Sequence, residues 1–266
     1  MSWGSSLESG NSDRSVPTFH VKIKAAVENV SEPHRNMGEF HSMVPGWDVS
    51  YNEKMQRSYI QFGCGLCAPP GWRNFDAGPI FWIQKHTTLL NPLFRRKGLP
   101  IYPVKAIQYA DVITGLPVPP QSADGVYCSH VLEHLTLDEF RATIRNVLQY
   151  LKPGGTFRLV VPDLEFMINR YVSTQDPDAA MQLMDETILG QRKAQRGPRA
   201  ALQLLFGRSR HRWMWDYKAI AQELEKTGFV NVRRAFFNDS ADERFRDVED
   251  LGRWENCLGV ECNAPH

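Results

Sequence analysis

Apolar and polar positions change period several times along this chain. A short apolar run from Ser58 to Phe62 leads into Gly63-Cys64-Gly65, the pattern of a buried strand closed by a turn. Similar runs at Trp72 to Phe75, Ala106 to Ala110 and Gly125 to Ser129 predict three more strands, which end on Asp76, Asp111 and His130. From Leu137 to Leu151, apolar residues at Phe140, Ile144, Val147, Leu148 and Leu151 recur at helical spacing, and Lys152-Pro153-Gly154-Gly155 stops the helix. Thr156 to Val161 predicts a fifth strand. Tyr217, Ile220, Ala221 and Leu224 mark a second helical stripe ending at Gly228, and Phe229 to Phe237 and Leu258 to Asn263 predict the last two strands. Strands alternating with helices predict an α/β fold with a mostly parallel sheet.

The flanks read differently. Residues 1–56 lack a clean period and predict a tail and an N-terminal cap. Residues 57–266 form the main domain, with a helical and looped insertion or lid at about 164–212, broken at Pro177, Gly190, Gly197-Pro198 and Gly207.

Composition narrows the class. The chain has 266 residues, 42% of them hydrophobic, with 14 Phe, 8 Tyr and 7 Trp, enough to bury a sizeable core and to exclude a disordered, collagenous or coiled-coil chain. No apolar run reaches the roughly 18 residues of a membrane span. Thirty-one basic residues against 30 acidic leave no general electrostatic footprint for nucleic acid. Five cysteines and no apolar signal-peptide core in residues 1–15 point to a cytoplasmic protein with reduced thiols.

In an open α/β sheet, ligands bind beyond the carboxyl ends of the strands. There this chain places Gly63 and Gly65, which admit close backbone approach, then Asp76, able to grip two ribose hydroxyls, then Asp111, placed to accept from an adenine amino group. Ser129 and His130 end the fourth strand. Taken singly, these residues read equally as turn glycines and helix caps. Their occurrence in this order at successive strand ends is what points to a nucleotide.

The run Tyr59-Ile-Gln-Phe-Gly63-Cys-Gly65, with Pro70-Gly-Trp-Arg-Asn-Phe-Asp76, Ala123-Asp-Gly-Val-Tyr-Cys-Ser-His130-Val-Leu-Glu-His134-Leu, Leu151-Lys-Pro-Gly-Gly155 and Gly228-Phe229, resembles the class I methyltransferases that use S-adenosylmethionine. The resemblance implies a Rossmann-like, seven-stranded, mostly parallel sheet with helices on both faces, and S-adenosylmethionine as cofactor. It implies that Gly63, Cys64 and Gly65 line the methionine part, Asp76 the ribose and Asp111 the adenine, with Ser129 and His130 beside the reactive methyl. Phe62, Ala77 and Val112 complete the implied cofactor set. Two departures stand out: Cys67 replaces the usual third glycine, and only eleven positions separate Gly65 from Asp76. A parallel crossover with a helix needs a dozen residues or more, so the first crossover is expected to be shortened or irregular.

Other chemistries remain open on the same residues. His130-Val-Leu-Glu133-His134 matches the H-x-x-E-H pattern of zinc peptidases, whose two histidines share one helical face. The pentapeptide follows a short strand here, which counts against a zinc hydrolase. Cys64-x-x-Cys67 with Cys257 and Cys262 has loose spacing for zinc. No metal is therefore assigned.

For methyl transfer, a histidine of near-neutral pKa suits removal of a proton from the acceptor, and His130 and then His211 are the candidate bases. Arg192, Lys193, Arg196, Arg199, Arg208, Arg210 and Arg212 form a run that serves either as a solvated face or to hold an anionic substrate. Arg208, Arg210, Trp213 and Trp215 are the substrate candidates, and Tyr217, Phe81 and Trp82 are further aromatics for a small organic pocket or for the core. The expected acceptor is a small molecule, anionic or sugar-like, with no membrane and no nucleic acid as partner and a monomer or homodimer as the assembly. The alternatives are an RNA- or protein-directed methyltransferase, the zinc hydrolase and a cofactor-binding module without turnover.

Overall fold

The computed structural model describes residues 58–87, 89–190 and 210–266. The N-terminal tail and cap expected over 1–56, and Arg192, Lys193, Arg196, Arg199 and Arg208, lie outside them. The strands are β1 (Tyr59–Phe62), β2 (Trp72–Asp76), β3 (Ile107–Tyr109), β4 (Ala123–Ser129), β5 (Leu151–Pro162), β6 (Val230–Ala235) and β7 (Cys257–Asn263). They form one seven-stranded sheet in the order β3-β2-β1-β4-β5-β7-β6, with β7 antiparallel to both its neighbours and the other pairings parallel. This is the mostly parallel α/β fold that the strand and helix pattern predicts and the Rossmann-like, seven-stranded sheet that the resemblance implies. Among the described residues, no helix is long and apolar enough to cross a membrane.

The central strands are covered on both faces, which is why they read as continuous apolar runs rather than as alternation. One face meets α3 (Leu137–Tyr150) and α6 (Tyr217–Thr227), whose Phe140, Ile144, Val147, Ile220 and Leu224 pack with Ile60, Phe62, Val126 and Leu159. Helix α3 starts on a capping box, Thr136 accepting from Glu139 N–H while Glu139 accepts from Thr136 N–H. Asp216 caps α6 by a single bond, accepting from Ala219 N–H at 2.7 Å. The other face, carrying Tyr59, Tyr127 and Val160, is filled by Trp72 together with Phe245, Val248 and Trp254. Those last three come from a segment of 3₁₀ turns at Glu243–Asp247 and Leu251–Arg253, for which the sequence shows no period.

The first crossover is irregular, as its length implies. Residues 63–71 join β1 to β2 without a helix, held by Cys64 N–H donating to the Phe75 carbonyl and Cys67 N–H to the Cys64 carbonyl. The β2–β3 connection instead carries two short helices that no periodicity marks, α1 (Pro79–His86) and α2 (Asn91–Arg96). The expected insertion at 164–212 begins as α4 (Leu164–Ser173) and α5 (Ala179–Glu186).

Beneath the Trp254 face, Arg158 of β5 is fully buried and paired. Its guanidinium donates to Glu249, to Asp239 and Glu261 at 2.9 Å each and to the Phe236 carbonyl, and it lies 4.8 Å from the Trp254 ring centre. Burial alone would raise the Asp239 pKa, but hydrogen bonds from Arg233 and Arg158 outweigh it and hold the group below its ordinary 3.8. A depressed carboxylate stabilises the fold above its unfolded pKa and loses that contribution as pH falls through the folded value. The stability gap between wild type and Asp239→Asn is therefore expected to be largest above 3.8 and to close on acidification, as read by denaturant unfolding across pH.

Candidate active site

The carboxyl ends of β1 to β4 open into a single cavity of about 320 Å³. Strand β1 contributes Phe62 and Gly63, and the end of β2 contributes Asp76 with Ala77, Gly78 and Pro79. From β3 come Ala110, Asp111 and Val112, and from β4 come His130, Val131, His134 and Leu135, with Tyr102 joining ahead of β3. The volume falls in the range of small-molecule sites, and the lining is apolar with a few polar groups converging on it.

Two carboxylates, at the ends of the adjacent strands β2 and β3, stand in this wall. Asp76 is buried, and its two oxygens accept from Gly65 N–H at 2.9 Å and Gly78 N–H at 2.6 Å. The β2 acid thereby ties the glycine loop after β1 to the start of α1, and each oxygen keeps a second acceptor direction. Asp111 accepts from Ile113 N–H at 3.0 Å, an Asx turn that fixes the chain beyond β3.

Gly63 is required by geometry. Its φ is +61°, and a Cβ there would stand 2.2 Å from Val131 Cγ2. Gly65 also has a positive φ, +58°, but a Cβ there would meet nothing within 4 Å.

The β4 end is strained and polar. His130 takes a left-handed φ of +55°, uncommon for a residue with a Cβ, and its N–H donates to the Val160 carbonyl. Its Nε2 lies 2.9 Å from the Arg253 carbonyl, and its Nδ1 3.4 Å from Glu133 Oε1. Burial by itself would lower the His130 pKa, but the Cys257 thiol, Glu133 and the Arg253 carbonyl outweigh it and raise it to about 10. His130 therefore stands at the β4 end with Nε2 engaged by the Arg253 carbonyl and Nδ1 near Glu133.

The turn at Leu132–His134 then places Glu133 behind the cavity wall and His134 in it. His211 packs against these two rather than in the cavity: its ring centre is 5.1 Å from that of His134, and its Nε2 4.0 Å from Glu133 Oε1. Burial, the largest influence, lowers the His211 pKa below 6.5.

Several expected site residues stand elsewhere. The Cys64 side chain is fully buried with Phe81 and Ile107 and points away from the cavity, and burial pushes its thiol pKa far up. Ser129 is buried on the Tyr127 side of β4, and its carbonyl accepts from Arg253. Trp215 is a core residue at 1% exposure, its ring 4.2 Å from that of Phe140, because a parallel bridge pairs it with Asp163. It does not line the cavity described above. Phe81 is likewise core, and Tyr217 packs on the core with its hydroxyl donating to the Val232 carbonyl. Trp213 and Trp82 remain exposed. Arg210 meets the site through its backbone, its carbonyl lying 3.1 Å from His134 Nδ1.

The metal patterns weighed in the sequence do not assemble as written. His130 precedes the 3₁₀ turn, so it and His134 do not share a helical face. The four cysteines are dispersed, Cys64 against Phe81 and Cys262 in the main core. Lining residues that sequence reasoning missed are Gly78, Pro79, Tyr102, Ala110, Val131 and Leu135. Their signal is adjacency to the strand-end acids and to His130, except for Tyr102, which no motif marks.

A family model described as a methyltransferase domain matches residues 51–234. The chain belongs to this methyltransferase family. A comparison with curated proteins finds no match. Among solved structures the methyltransferase is similar to an S-adenosylmethionine-dependent methyltransferase from Archaeoglobus fulgidus, with 17% identity, a TM-score of 0.41, and coverage of 78% of this chain and 86% of that one. It is similar to a Thermotoga maritima protein described as a possible histamine N-methyltransferase, with 12% identity, a TM-score of 0.41, and coverage of 78% and 82%. It is also similar to the CurJ carbon methyltransferase, with 14% identity, a TM-score of 0.40 and coverage of 79% of this chain, and it spans 50% of the length of that one.

Proposed function

We propose that the methyltransferase transfers the methyl group of S-adenosylmethionine to a small-molecule acceptor, anionic or sugar-like, that enters the cavity at its β4 end. The observation that carries this reading is the pair of strand-end carboxylates, Asp76 and Asp111, in the wall of one cavity of about 320 Å³. The donor set fits the cofactor: Asp76 keeps acceptor directions for a ribose diol, Asp111 and Val112 stand where the β3 end meets an adenine edge, and Phe62, Ala77 and Pro79 offer apolar surface. Gly63 leaves room for the methionine part. Cys64 and Gly65 act through their backbone.

S-adenosylmethionine supplies a sulfonium-bound methyl already activated for in-line displacement. The chain's own contribution is then to hold the acceptor in line and to exclude water. His130, held from both sides, positions the β4 end, and Leu135 and Val131 narrow it. A cavity of this size and a charge balance of 31 basic to 30 acidic residues favour a small acceptor over a polyanion.

Calorimetric titration with S-adenosylhomocysteine tests the cofactor assignment. Loss of a charge-assisted hydrogen-bond partner costs about 1.5–3 kcal/mol, so Asp76→Ala should weaken binding by roughly 10- to 150-fold. Asp111→Ala should weaken it by about tenfold. Wild-type affinity in both variants would remove the assignment. For the acceptor, labelled methyl donor is incubated with low-mass, RNA and protein fractions of a cell extract. Label is expected in the low-mass fraction, and its appearance in RNA or protein instead would overturn the small-molecule reading.

A further inference from the structure

Behind the cavity wall lies a buried carboxylate that lacks a proper donor. Glu133 is 1% exposed, and neither side-chain oxygen has a hydrogen bond among the described residues. A carboxylate so buried calls for polar or cationic partners at close range. What surrounds it is imidazole, His130 Nδ1 nearest at 3.4 Å from Oε1 with its Nε2 already engaged by the Arg253 carbonyl. His134 Nε2 stands 3.8 Å and His211 Nε2 4.0 Å from Glu133 Oε1, and ligand atoms of the three residues all fall within 4.8 Å of one another. His134 Nδ1 lies 3.1 Å from the Arg210 carbonyl. That is the outer-shell contact by which a metal-binding histidine fixes its tautomer, and it leaves Nε2 facing Glu133. His211 is 7% exposed, and its Nδ1 has no hydrogen-bond partner. The backbone holds the set together, since the Glu133 carbonyl accepts from Arg212 N–H at 2.7 Å and Trp213 N–H at 3.2 Å, seating the segment that carries His211.

We propose that Glu133, His134 and His211 bind one divalent transition-metal ion at the inner end of the cavity. Two imidazoles and a carboxylate suit zinc, iron, cobalt or manganese. Ligands about 2.1 Å from a tetrahedral ion stand roughly 3.4 Å apart, so the observed separations close by side-chain adjustment alone. The set differs from the H-x-x-E-H pattern, because His130 is held by Arg253 and His211 takes its place. Of the three, His134 lines the cavity, whereas Glu133 and His211 lie behind its wall. Metal binding at this set does not rest on the methyl-transfer reading.

The test uses the full chain, stripped with chelator and titrated with Co²⁺ while its visible ligand-field band is followed, with zinc content measured separately by elemental analysis. One equivalent per chain is expected. Glu133→Gln and His211→Ala should each lower Co²⁺ affinity by about 100-fold or more, at least the upper end of what losing an outer-shell partner costs. Binding of S-adenosylhomocysteine should persist in His211→Ala, which shows that the variant is folded. If Glu133→Gln does not fold, His211→Asn with an intact unfolding transition carries the same comparison. A wild-type chain that takes up no Co²⁺ or Zn²⁺, or variants that bind as tightly as wild type, would overturn the proposal. Metal binding without cofactor binding would sustain it and count against the methyl-transfer reading instead.

Discussion

Gly63→Ala is expected to cost about 2–6 kcal/mol of stability and to abolish measurable binding of S-adenosylhomocysteine. Two effects add. An alanine at φ +61° carries left-handed backbone strain of about 1–3 kcal/mol. Its methyl would also stand 2.2 Å from Val131 Cγ2, so either the loop after β1 or the turn after His130 must move. Overpacking of that kind costs about 1–3 kcal/mol more. Both segments line the cavity, so the displacement falls on the site itself. Gly65→Ala supplies the control: it carries the strain of φ +58° with no clash, and should cost about 1–2 kcal/mol. Denaturant unfolding and calorimetry on the two variants check the difference, and equal behaviour would show that the Val131 contact does not limit the loop.

Arg158→Ala is expected to destabilise the protein by about 3–5 kcal/mol, the cost of stripping one partner from a buried ionic cluster. The guanidinium is fully buried and serves Glu249, Asp239 and Glu261 at once. Its removal leaves Glu249, itself without exposure, facing an apolar cavity beside Trp254. Arg158→Met with Glu249→Gln removes both charges and should recover part of the loss, because an apolar replacement of a whole buried pair is often close to neutral. Thermal or denaturant unfolding reads both. A loss below about 1 kcal/mol for the alanine variant would place the cluster among solvated ion pairs.

Much of the fold was legible because its signals are local. Fully buried parallel strands leave unbroken apolar runs, and α3 and α6 carry both a helical stripe and their own caps at Thr136 and Asp216. The short crossover was readable from chain length alone. Helices α1 and α2 were not, since eight and six residues are too few to show a period. Nor was the 3₁₀ segment that carries Phe245 and leads to Trp254, whose burial depends in part on Tyr59, Tyr127 and Val160, 85 or more residues away.

The site divides along the same line. Gly63, Asp76, Asp111 and His130 fall at strand ends, and in a parallel sheet those ends meet at one edge, so order along the chain sufficed to gather them. Side-chain direction lay beyond it. Cys64, Ser129 and Trp215 stand in or next to the right segments yet face the core, because adjacent strand residues point to opposite faces and the register is set by pairing with other strands. The partners of His130 lie on the Arg253 turn, and those of Glu133 include His211, 78 positions along the chain. Local patterns in the chain sufficed for the class of fold and for the sheet edge at which Gly63, Asp76 and Asp111 line one cavity. Only folding brings the Arg253 carbonyl to His130 and His211 to Glu133, because those contacts join segments that no local pattern relates.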